Sequence, residues 1–92
     1  MRAVVMREQG PPSVLKLEDW PVPVPGPEEA LVKVAAVGVS YHDIVERNGT
    51  YQRGVKLPMV MGYEVAGTVE RVGSAVQSLK PGDRVCCKPF QS

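Results

Sequence analysis

The residues able to do chemistry fall in three short stretches of this 92-residue chain. Ser40-Tyr41-His42-Asp43 holds the single histidine between a hydroxyl and a carboxylate. Tyr63-Glu64 follows after a loop, and Cys86-Cys87 lies near the end of the chain. An imidazole titrates near neutral pH, which suits it to moving a proton. Serine and tyrosine hydroxyls donate hydrogen bonds, the kind of contact that steadies charge developing on an oxygen. Each residue also has a plain structural use. Ser40 is a good N-cap, and Asp43 three residues later makes a near capping box. His42 at the start of a short helix fits a solvent-touching, cap-adjacent place. Tyr63 fits equally well as a core aromatic with its hydroxyl satisfied. Asp43 and Glu64 can simply bond backbone N–H groups or an arginine. The adjacent cysteines would point to opposite faces of a strand and rarely pair with each other. They read as two reduced, partly buried thiols rather than metal ligands.

The elements that must carry these residues are mostly strands. Arg2–Met6 and Val14–Trp20 have β-branched or alternating patterns and form a hairpin-like pair around Gln9-Gly10-Pro11-Pro12. Trp20–Pro27 holds four prolines in eight residues, so it is expected to be an extended, polyproline-like surface connector. Glu29–Val39 is apolar and β-branched, as a mostly buried strand should be, and Gly38 marks a bend or close approach near its end. Ser40–Arg47 is expected to form a helix of about two turns, stopped by Asn48-Gly49. Thr50–Pro58 reads as a polar loop. Val60–Val72 is expected to be a strand, with a bulge or tight corner at Gly67. Lys80-Pro81-Gly82-Asp83 has the residues of a type II turn before a last strand from Val85. The fold class is therefore mainly β, a small barrel with one or two short helices.

Composition sets bounds. The chain is 43% apolar with net charge +1, an ordinary globular balance that fits one domain with a modest core. No basic patch points to nucleic acid, and no apolar run approaches a membrane span. The N-terminus is too short and too quickly recharged for a signal peptide, which implies a cytoplasmic protein. No Gly-x-Gly-x-x-Gly turn follows a strand, so no dinucleotide site is expected in these residues.

Three segments in order resemble the N-terminal domain of the medium-chain dehydrogenase/reductase superfamily, the zinc-type alcohol dehydrogenase-like proteins. They are Ala36-Val37-Gly38-Val39-Ser40-Tyr41-His42-Asp43 with Asn48-Gly49, then Leu57 through Gly73, then Leu79-Lys80-Pro81-Gly82-Asp83-Arg84-Val85. The resemblance implies a GroES-like, partly open β-barrel that packs beside a Rossmann cofactor domain. It implies that the chain is the substrate domain of a longer oxidoreductase, inactive alone, whose NAD(P) is held by that other domain. It also implies hydride transfer to or from a carbonyl or activated C=C of a small-molecule substrate, and a homo-oligomer. At the family's zinc-ligand positions stand Ser40, in place of Cys, and Tyr63, in place of His. Neither hydroxyl readily ionises at neutral pH, so no metal ligands are assigned and zinc is doubted. The departure points to the zinc-independent, quinone reductase-like members. On that reading Tyr63 or His42 handles a proton, Ser40 hydrogen-bonds the substrate, and Asp43 and Glu64 support the site. Cys86 and Cys87 lie too early to belong to the family's structural zinc lobe. The competing expectation is a stand-alone GroES-like binding or assembly module.

Overall fold

The computed structural model describes residues 1–50 and 55–88. Within them the chain forms six strands, one α-helix and one 3-10 turn. Strands β1 (Arg2–Met6), β2 (Leu15–Asp19) and β4 (Met59–Val60) make one antiparallel sheet in the order β2-β1-β4. Strands β3 (Ala30–Gly38), β5 (Glu64–Val72) and β6 (Arg84–Cys87) make a second, in the order β3-β5-β6. The helix α1 (Tyr41–Asn48) leaves the end of β3. The arrangement is the partly open β-barrel with short helices that the sequence implies.

The expected hairpin forms, and β1 pairs with β2 in register from Arg2 opposite Asp19 to Met6 opposite Leu15. Reciprocal bonds between Met1 and Trp20 extend it by one step. Pro12–Val14 forms the 3-10 turn between the strands. The proline-rich stretch then runs without regular structure to β3, because proline offers no N–H to a ladder. Its far end is tied to the turn after β5, where Gly73 and Ala75 donate to the carbonyls of Glu29 and Pro27.

The long span expected over Val60–Val72 is interrupted. Gly62 adopts φ +123°, and the chain changes sheets there. Met61 still donates to Val4 in the first sheet, while Glu64 opens β5 in the second. Bulges bend the β3–β5 ladder at two places, between Leu31 and Val32 and between Val34 and Ala36. Gly67 is buried opposite the second bulge, and a Cβ there would collide with the Lys33 carbonyl. This is the tight approach that its position in a strand foreshadows. Gly38 differs from expectation, since the Glu64 side chain covers it rather than another backbone segment. Lys80–Asp83 is a type II turn, with Gly82 at φ +97° and Asp83 N–H bonded to the Lys80 carbonyl.

Two expectations need correction. β3 is not mostly buried: Leu31 is covered, but Val34 and Val37 are 52% and 61% exposed. An apolar composition shows that a strand tolerates burial, and a single sheet packed on one side still leaves the other face open. Cys86 and Cys87 are both exposed free thiols, because β6 lies at the edge of its sheet beside β5 alone. The buried apolar set among the described residues is small: Ala3, Val5, Met6, Leu31 and Val69. The polar loop expected at Thr50–Pro58 falls partly on residues 51–54, outside the described residues.

With so small a core, backbone approach at Gly67 carries much of the sheet geometry. Gly67→Ala should destabilise the chain by about 1–3 kcal/mol through overpacking. Urea titration followed by circular dichroism measures this, and an unchanged midpoint would show that β3 yields freely at the bulge.

Candidate functional site

The sequence around Ser40 builds a short, well-capped helix. Ser40 is extended at φ −122°, and its N–H donates to Asp43 Oδ2 at 2.8 Å. Asp43 thereby satisfies a free N–H at the helix entrance and places negative charge near the positive end of α1. Its other oxygen is buried and has no partner among the described residues. At the far end Gly49 takes the left-handed conformation, φ +85°, and its N–H bonds to the Val45 carbonyl.

The connection after β1 locks that far end. Gln9 Nε2 donates to the Glu46 carbonyl at 3.0 Å, and Gly10 N–H donates to the Arg47 carbonyl at 2.7 Å. Arg47 reaches back to the Gly10 carbonyl, also at 2.7 Å. These bonds satisfy carbonyls that a helix end leaves open. They set the rotation of α1 against the first sheet.

That rotation turns Glu46 inward. Its side chain is 1% exposed, the one buried charged side chain among the described residues. The Tyr63 hydroxyl, from the connection between β4 and β5, donates to Glu46 Oε2. His42, one helical turn before Glu46, brings its Nε2 to 3.3 Å from the same oxygen. The His42 and Tyr63 rings meet at 4.1 Å between centroids, tilted by 60°. Burial pushes the Glu46 carboxyl above its usual range. The nearby His42 opposes that rise, and Asp43 adds to it.

The structure therefore joins His42 and Tyr63 and sets Ser40 and Asp43 at the entrance of the same helix. It separates Glu64, which is exposed at the start of β5 with its side chain against Gly38. Tyr63 lies in the bend before β5 and reaches the helix, whereas Glu64 opens the strand and lies against Gly38. Sequence reasoning missed Glu46. The signal was present, since His42 and Glu46 are four residues apart on an expected helix and share a face.

The groups gathered here are a phenol, an imidazole and a carboxyl, and the hydroxyls of Ser40 and Tyr63 do not readily ionise at neutral pH. Among the described residues no three His, Cys, Asp or Glu side chains gather as a metal-holding group. The Tyr63 hydroxyl already directs its proton to Glu46. A nicotinamide dinucleotide has no glycine-rich strand–helix turn to rest on in this chain. No described helix is long and apolar enough to cross a membrane.

Residues 26–92 match the family model for the alcohol dehydrogenase GroES-like domain. Human sorbitol dehydrogenase is 48% identical over 82 residues, covering 85% of this chain and 22% of that protein. The quinone oxidoreductase of Lama guanicoe is 48% identical over 86 residues, covering 92% of this chain and 26% of that protein. Among solved structures, Escherichia coli quinone oxidoreductase complexed with NADPH superposes with a TM-score of 0.91. It is 32% identical and covers 99% of this chain and 28% of that one. The chain thus spans about a quarter of the length of the relatives it matches.

A buried carboxyl raised above the usual glutamate value near 4.5 makes stability depend on pH with a definite sign. The folded state binds the Glu46 proton more tightly than the unfolded state. Its contribution is therefore full below pH 4.5 and is lost as pH rises through the raised folded value. Glu46→Gln should flatten that decline, because the amide does not ionise. Urea midpoints measured from pH 4 to 8 test this, and an equally steep decline in the variant would assign it to other groups.

Proposed function

The chain belongs to the alcohol dehydrogenase GroES-like domain family, and on that premise we propose that it is the substrate domain of an NAD(P)-dependent oxidoreductase working without a catalytic zinc. The reaction is hydride transfer to or from a carbonyl or an activated C=C of a small molecule. Support for the class comes from the relatives, which are named as sorbitol and NAD-dependent alcohol dehydrogenases and as quinone oxidoreductases. Support for the zinc-free branch comes from one observation: a ligand position occupied by Tyr63, whose hydroxyl is held by a carboxylate inside a His42–Glu46–Tyr63 cluster.

In this reading the nicotinamide, held by a Rossmann domain outside these residues, supplies the hydride when bound. The residues of this chain orient the substrate and manage one proton. Ser40 donates a hydrogen bond to the substrate oxygen, and Tyr63 with His42 carries the proton to or from it. Asp43 holds Ser40 through the helix cap, and Glu64 braces the adjoining sheet end. A soluble cytoplasmic homo-oligomer completes the proposal. The 92-residue chain alone would be inactive, since it has no dinucleotide turn of its own.

Expression of the complete reading frame, with nicotinamide absorbance followed over enones, quinones, aldehydes and alcohols, tests the proposal. Turnover is expected with at least one class, without stoichiometric zinc at this site by elemental analysis. Tyr63→Phe and His42→Ala should each lower kcat by roughly 10²-fold, the lower range for general acid–base groups. Absence of turnover and of cofactor binding would sink the reading. Activity that depends on zinc bound through this chain would overturn its metal-free part.

A further inference from the structure

Glu46 is the buried charge that the function above leaves unused. Burying a carboxyl is unfavourable unless it is paired and hydrogen-bonded, and an apolar residue at that place would avoid the penalty. Here two groups converge on one atom. The Tyr63 hydroxyl donates to Glu46 Oε2, and His42 Nε2 stands 3.3 Å from the same oxygen. His42 is 35% exposed at its side chain, so the cluster runs from solvent to a buried oxygen and on to Tyr63.

A phenol has one proton. While Tyr63 donates to Glu46, it has none to offer a substrate oxygen. When the proton resides on Glu46 instead, Oε2–H donates to the phenolic oxygen, and the Tyr63 O–H is released to point elsewhere. The state of Glu46 therefore decides whether Tyr63 can act as a donor.

We infer that Glu46 is a positioning residue and proton store that links His42 to Tyr63, so that a proton given up by Tyr63 is replaced from Glu46 and then through His42 from water. The inference rests on the reading of Tyr63 as the proton-handling group. The step balances. The Tyr63 O–H bond breaks as the O–H bond of the product forms. The Glu46 Oε2–H bond breaks as a new Tyr63 O–H forms, leaving a carboxylate. His42 then returns a proton to Glu46 from Nε2 and takes one from water at its other nitrogen. One proton moves from water to product, and these groups are neither oxidised nor reduced.

The surroundings agree with a carboxyl that holds its proton. Burial favours the neutral form of Glu46, Asp43 on the same helix favours it further, and His42 pulls the other way. From the β4–β5 connection the facing titratable group is Tyr63. From the connection after β1 it is the neutral Gln9, bonded to the Glu46 carbonyl. The Arg47 guanidinium is engaged by the Gly10 carbonyl.

The test has two arms. On this chain, carbon-13 NMR of the glutamate carboxyls follows Glu46 through pH in wild type, His42→Ala and Tyr63→Phe. Both replacements should move the Glu46 titration, and His42→Ala should move it upward, since His42 favours the carboxylate. A titration that neither replacement moves overturns the link. In the enzyme made from the complete reading frame, Glu46→Gln should lower kcat at least about tenfold with KM nearly unchanged. It should also remove the alkaline fall in kcat that a required protonated group imposes, and Glu46→Asp should restore part of the rate. An unchanged rate and pH profile in a correctly folded Glu46→Gln enzyme overturns the relay. If wild type turns over none of the substrates, the functional reading falls, and the NMR arm decides the three-residue network by itself.

Discussion

A single buried oxygen, Glu46 Oε2, holds the candidate site together. It receives the Tyr63 hydroxyl from the connection between the two sheets and lies beside His42 on its own helix. Elements far apart in the chain therefore meet at one atom. A carboxyl so enclosed is tolerated because its surroundings satisfy it, and its partners are in turn oriented by it. Both rings of the cluster are held in this way, one by a bond through the hydroxyl and one through the helical spacing.

That meeting requires the rest of the fold to be placed with care. The capping of α1 by Ser40 and Asp43 sets where the helix begins. Gln9, Gly10 and Arg47 set how it is rotated against β1. Gly62 lets the chain leave the first sheet just before Tyr63, and β5 then pairs along β3. Among the described residues few large side chains are fully covered, too few to impose this geometry alone. Backbone bonds at the joints, and the close approach at Gly67, supply the constraint.

The same arrangement differs in kind from the donor set that a zinc centre uses. A metal centre asks for thiolates or imidazoles converging on an open point. Here the convergence exists, but its centre is a carboxyl oxygen and its spokes are a phenol and an imidazole. The family's scaffold is retained around this cluster.

Much of this was legible in the residues. The hairpin of β1 and β2, the capped helix after Ser40, the type II turn at Pro81-Gly82 and the pinched strand at Gly67 follow from local rules of spacing and backbone freedom. The three ordered segments identified the family. Other features depended on what lies across space. The exposure of Val34, Val37 and the two cysteines reflects which sheet faces and edges are covered, and composition does not encode that. The break at Gly62 reflects a change of sheet that a continuous apolar pattern conceals. Glu46 looked like one more helix carboxylate, four residues after His42. Its importance arises because the loop after β1 rotates it inward and a tyrosine from another element reaches it. The sequence alone determined the local elements and the donor types. The tertiary structure decided which of them meet at one oxygen, because hydrogen bonds form between groups adjacent in space, whatever their separation along the chain.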